Sequence, residues 1–119
     1  MILTRRRRNV DIQTQVYPRV TVVSVQGRVD SSTAGDLEAA LQKLIEQGKS
    51  NFVLDLSGVE FLSSSGLRVL VTTLKAVRKT GGDLRLAQPS QRAADAINLA
   101  GLDVLFQSYG DREAAVASF

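Results

Sequence analysis

The sequence predicts a single α/β domain with a mixed sheet: parallel strands, an antiparallel strand at the N-terminal edge, and about four helices. Three observations lead there. Short apolar runs alternate with segments of helical period, which implies parallel pairing through right-handed crossovers. Two strand-like runs stand together before the first helix, as an antiparallel hairpin requires. The chain has 119 residues, 44% apolar and 23% charged, the balance of an ordinary globule. A domain near this size buries roughly two thirds of its unfolded surface around one core.

Val10, Ile12, Thr14 and Val16 alternate with Asp11, Gln13 and Gln15, a period-two strand. Tyr17-Pro18-Arg19 breaks the pattern, and Val20–Val25 resumes it as a more apolar strand. Gly27 to Thr33 is a polar turn, with Ser32 or Thr33 placed to cap a helix and Asp36 suited to its first turn. Leu37, Leu41, Leu44 and Ile45 mark one face of that helix, and Gly48 ends it. Phe52–Leu56 reads as a buried central strand, followed by a loop from Ser57 to Ser63. Leu67, Leu70, Val71, Leu74 and Val77 form the face of a second helix, stopped by Gly81-Gly82. Leu84–Ala87 is the next strand, Pro89-Ser90 opens a third helix, and Gly101 closes it. Val104–Phe106 reads as a last strand, and Asp111 as the cap of a terminal helix.

The net charge of +3 belongs to the first few residues. Without Arg5, Arg6, Arg7 and Arg8, eleven basic residues face twelve acidic ones, a net of −1. Residues 1–9 are expected to be a flexible basic tail, and residues 10–119 the domain. No basic helix or aromatic platform follows the arginines, so no direct nucleic-acid contact is expected. No apolar run approaches the roughly 20 residues of a membrane span, and the arginines precede no secretory apolar stretch. A cytoplasmic protein without membrane insertion is expected.

There is no cysteine and no histidine. Disulfides, Cys/His zinc sites, imidazole bases and the familiar Ser-His and Cys-His nucleophile systems are excluded with them. Chemistry based on carboxylates alone survives, so no catalytic residues, metal or cofactor are expected. Gly48-Lys49-Ser50 resembles the end of a phosphate-binding loop, but Lys43 stands where its first glycine belongs, and the segment leaves a helix to enter a strand. Asp55, ending a central strand, resembles the acceptor of a receiver domain. That pattern also needs an adjacent acidic pair and a late lysine, and no lysine follows Lys79. Asp55 is better read as a strand-end carboxylate accepting loop hydrogen bonds.

The informative stretch is Asp55-Leu-Ser-Gly-Val-Glu-Phe-Leu-Ser-Ser-Ser-Gly-Leu67. Three serines stand where the second helix begins, so one can cap it while others face solvent. A helix N-terminus presents free N–H groups and the positive end of the dipole. A phosphate there would be held favourably and would bring about −1.5 to −2 charges to the surface. Gly66, just inside the helix, costs up to about 1 kcal/mol relative to alanine, which points to a close approach.

This stretch resembles the phospho-acceptor loop of the STAS-domain anti-sigma factor antagonists, approximately D-L-S-x-V-x-F-(M/I)-D-S-S-G-L. Gly27-Arg-Val-Asp30, Ala100–Phe106 and Tyr109–Ala114 are similar to other parts of that family's sequence, so the resemblance spans nearly the whole chain. It implies a STAS fold and places the phosphorylated serine at Ser64. The family's preceding aspartate is Ser63 here, which leaves Ser63 and Ser65 as alternative acceptors. The implied partner surface comprises Asp30, Ser63, Ser64, Ser65, Gly66 and Arg68. The implied function is a partner switch: the unmodified protein binds an anti-sigma factor that is also a serine protein kinase, releasing a sigma factor. The kinase, with its own ATP and magnesium, modifies the serine, and a PP2C-type phosphatase resets it. Two other roles fit the resemblance, a scaffold subunit of a STAS signalling assembly and a soluble STAS subunit of a membrane transporter system.

Overall fold

The computed structural model describes the backbone of residues 2–7 and 10–119 and the side chains of residues 10–119. Among these residues six strands form one sheet, and its spatial order follows the chain. They are β1 (Ile2–Arg7), β2 (Val10–Val16), β3 (Thr21–Val29), β4 (Asn51–Leu62), β5 (Asp83–Ala87) and β6 (Ser108–Tyr109). β1, β2 and β3 pair antiparallel, while β3 through β6 pair parallel. The helices are α1 (Ala34–Glu46), α2 (Ser64–Arg78), α3 (Gln91–Leu99) and α4 (Arg112–Ala117).

Alternation along the strands divides the interior into two layers. Val23 and Val25 of β3, Phe52, Leu54 and Leu56 of β4, and Leu84 and Leu86 of β5 meet Leu37, Leu41, Leu70, Leu74 and Ile97 from α1, α2 and α3. The intervening residues Val22, Val53 and Ala87 meet Ala115 and Val116 of α4 on the opposite face. β2 follows the same rule, with Val10 and Ile12 in the larger layer and Gln13 exposed on the other side.

The expected α/β order holds, with four differences. Gly27, Arg28 and Val29, expected in a polar turn, continue β3 because they pair with Val59, Phe61 and Leu62 of β4. Ile2–Arg7, expected within a tail, runs antiparallel to β2, with Ile2 opposite Gln15 and Arg7 opposite Val10. The antiparallel N-terminal edge is therefore one strand further out than Val10–Val16. The central strand does not stop at Leu56 but follows β3 to Leu62. Two irregularities each give β4 one extra residue, so the period is interrupted and Ser57-Gly58 looks like a loop in sequence. Gly58 lies at the first of them, close against β3: a Cβ there would lie 2.6 Å from Gln26 Cγ, so the Gln26 side chain would have to move aside. The last strand falls on Ser108–Tyr109 instead of Val104–Phe106. Of that apolar run only Phe106 is buried, and Val104 is 83% exposed.

Asp55 shows what holds α4 to the sheet. Its side chain shares the face of Val53 and is buried, 3% exposed. Oδ1 accepts from the Ser57 amide at 3.0 Å, where β4 leaves its first register. Oδ2 accepts from Arg112 Nη2 at 2.7 Å and Nε at 3.1 Å, and from Gln88 Nε2 at 3.0 Å. Arg112 also donates to Ser24 Oγ on β3. Burial pushes the carboxyl pKa up, but the Ser57 and Arg112 hydrogen bonds outweigh it and hold the value below the usual 3.8.

Two outcomes are expected. Deleting residues 1–8 removes edge hydrogen bonds that water can replace and leaves Val10 and Ile12 within the larger apolar layer, so the melting temperature should fall by no more than about 5 °C. Arg112→Ala should cost about 2–3 kcal/mol in urea unfolding at pH 7, less than a fully buried pair because the guanidinium is partly solvated. Because the folded pKa of Asp55 is depressed, its contribution is complete above 3.8 and lost as pH falls through the folded value. Without Arg112 that loss should begin at higher pH, and acid unfolding curves unchanged by the substitution would refute the assignment.

Candidate functional site

The parallel pairing of β3 with β4 places two strand-to-helix connections side by side. Arg28 is opposite Phe61 and Val29 opposite Leu62, and the Ser63 amide donates to Val29 O at 2.8 Å. Asp30 thus follows β3 at the edge where Ser63 and Ser64 follow β4. Such carboxyl edges are where α/β sheets carry their sites.

The three serines have different surroundings. Ser63 is the N-cap of α2: its backbone is extended, and its hydroxyl accepts from the Gly66 amide at 3.3 Å. Ser64 is the first helical residue and is exposed, while Ser65 is half-buried. Neither the Ser64 nor the Ser65 hydroxyl has a hydrogen-bond partner among the described residues. Gly66 is buried because β-sheet side chains press against it. A Cβ at this position would lie 2.7 Å from both Leu62 Cδ1 and Val29 Cγ1. The close approach implied by the sequence is thus internal. Arg68 is exposed one turn along the same helix.

Asp30 borders this surface but binds within its own loop. Its Oδ1 accepts from the Ser32 hydroxyl at 2.7 Å and the Ser32 amide at 2.9 Å. The Ser32 hydroxyl leads the interactions that hold the Asp30 carboxyl below its ordinary range. Thr33 occupies the cap position of α1 without capping it; its hydroxyl donates to Arg28 O and accepts from the Asp30 amide.

Sequence reasoning missed Arg28 and Phe61 as a pair. The Arg28 guanidinium lies 4.6 Å from the Phe61 ring centroid, and its Nε is 3.9 Å from Asp30 Oδ2. The register of two parallel strands that puts residues 28 and 61 together is invisible to periodicity. Phe61 is half-exposed, so the patch presents a ring, a guanidinium and hydroxyls to solvent. No group of three or more potential metal-ligating side chains is assembled among the described residues. None of the described helices is long and apolar enough to cross a membrane.

The pattern of the STAS domain matches residues 11–115. This chain belongs to the STAS domain family. BtrV of Bordetella bronchiseptica is 34% identical to it over 98 residues, covering 82% of this chain and 84% of BtrV. The anti-sigma-F factor antagonist RsfB of Mycobacterium tuberculosis is 34% identical over 92 residues, 76% of this chain and 73% of RsfB. The crystal structure of an anti-sigma factor antagonist from Mycobacterium paratuberculosis superposes with a TM-score of 0.83 at 32% identity, covering 92% of each chain. The matched stretch of this STAS domain includes the β4–α2 junction.

Gly66→Ala tests the packing beneath the serines. Helix propensity alone predicts a gain of up to about 1 kcal/mol, but overpacking typically costs about 1–3 kcal/mol. Val29 is stiff and buried, so a net loss is expected in thermal melts. A variant more stable than the parent would show that α2 can lift from the sheet at little cost.

Proposed function

We propose that this STAS domain is an anti-sigma factor antagonist whose affinity for its partner is switched by phosphorylation of Ser64. The observation that carries the reading is the division of labour at the start of α2. Ser63 fills the cap, which leaves the exposed Ser64 hydroxyl without a structural task. The antagonist names carried by RsfB and the Mycobacterium paratuberculosis protein support the role. Ser63 and Ser65 are the weaker acceptors, one engaged as cap and the other half-buried.

In this reading the unmodified edge, with Asp30, Ser63, Ser64, Ser65 and Arg68, binds an anti-sigma factor that is also a serine kinase, and sigma factor is released; Gly66, expected in that surface, is buried beneath it and does not touch the partner. The kinase supplies ATP and magnesium. Ser64 Oγ attacks the γ-phosphorus, the bond to ADP breaks, and the hydroxyl proton passes to a base of the kinase. The modified edge carries about −1.5 to −2 new charges into a surface the partner buries. A coupling of about 3 kcal/mol changes affinity more than 100-fold. A PP2C-type phosphatase restores the hydroxyl by hydrolysing the phosphoester. The STAS domain contributes no catalytic group.

The test pairs stability with binding. Ser64→Ala should melt within about 1 kcal/mol of the parent because Ser63 keeps the cap. It should bind the kinase and incorporate no phosphate. Ser64→Asp should keep or gain about 0.3–1 kcal/mol from the helix dipole yet bind more weakly. Equal affinity for Ser64→Asp and parent, or parent-rate incorporation into Ser64→Ala, would overturn the assignment to Ser64.

A further inference from the structure

On the reading that Ser64 carries a phosphate, we infer that Arg68 is the phosphate's internal counter-ion, so that modification removes a cation from the binding surface while it adds an anion. Ser64 and Arg68 stand four residues apart on α2, the spacing that makes side chains neighbours on a helix. Helical side chains lean toward the N-terminus, so the Arg68 stem extends back over the first turn, where the Ser64 hydroxyl lies. An anion at the earlier position and a cation four residues later is also the favourable order with respect to the helix dipole.

Arg68 is free for this task. It is exposed, it has no hydrogen bond or ion pair among the described residues, and the first turn of α2 holds no carboxylate. The other arginine at this edge, Arg28, is engaged over the Phe61 ring and beside Asp30. The Ser64 hydroxyl offers Arg68 no charge before modification. A phosphate offers three oxygens to a planar fork of N–H donors, a match that favours bidentate pairing. Before modification Arg68 therefore points its charge outward to a partner. After it, the same guanidinium turns to the phosphate, and the partner loses an attraction in the place where it meets a repulsion.

The experiment places phosphoserine at position 64 by genetic-code expansion, with no kinase involved, and follows the second ionisation of the phosphate by phosphorus NMR. That ionisation ordinarily lies at about 6. A neighbouring guanidinium favours the dianion, so the parent should titrate below this value. Arg68→Gln should raise it by about 0.3 pH unit or more, and Arg68→Lys should fall between the two. Unphosphorylated Arg68→Gln should melt with the parent, since the side chain is exposed and makes no hydrogen bond or ion pair among the described residues. Identical titrations for parent and Arg68→Gln would overturn the inference. A shift produced by Arg28→Gln and not by Arg68→Gln would overturn it as well. Because the phosphate is installed directly, these outcomes are independent of whether a kinase chooses Ser64, and failure of kinase incorporation would bear on the proposed function alone.

Discussion

The parallel pairing of β3 with β4 is the constraint on which the molecule depends. It supplies the middle of the sheet, it lies between both apolar layers, and its far end brings two strand-to-helix connections into contact. β4 keeps pace with β3 only by taking in two extra residues, one where the Asp55 carboxylate receives the Ser57 amide. Those irregularities let the strand reach Leu62, so that Ser63 bonds to Val29 and α2 starts beside Asp30. A strand ending at Leu56 would have left the serines on a loop, with no fixed geometry relative to β3.

The serine junction separates tasks that a single hydroxyl would have to combine. A capping oxygen is committed to a backbone N–H and stabilises the fold; a modifiable oxygen must be free. Here Ser63 does the first and Ser64 is available for the second. Gly66 keeps the helix start pressed on Val29 and Leu62, so the exposed hydroxyl is displayed from a closely packed base. On the proposed reading, a charge placed on Ser64 would alter the surface and leave the cap and the core beneath it in place.

The sequence made much of this legible. Alternation identified β2, an apolar run identified β3 as far as Val25, the helical faces identified α1 and α2, and the serine-glycine junction marked the start of α2. Residues whose roles depend on distant parts of the chain were harder to read. Arg112 sits 57 positions from Asp55, and nothing local announces their ion pair. Arg28 and Phe61 meet only through the strand register. Thr33 has the sequence of a cap but turns its hydroxyl to Arg28 O, because the loop closes more tightly than the pattern suggests. The Val104–Phe106 run looks like a strand in one dimension, although a single residue of it finds the core. Ile2–Arg7 carries too little apolar pattern to declare a strand, and its place is set by the free edge of β2.

The attachment of α4 has a consequence for partial opening of the fold. This helix covers Val22, Val53 and Ala87 and brings the guanidinium that neutralises Asp55. A form in which α4 alone has come away keeps the three-helix layer on the other face of the sheet. It bares an apolar strip and leaves a carboxylate without its counter-ion, so a local opening of this one short helix uncovers apolar surface and charge together.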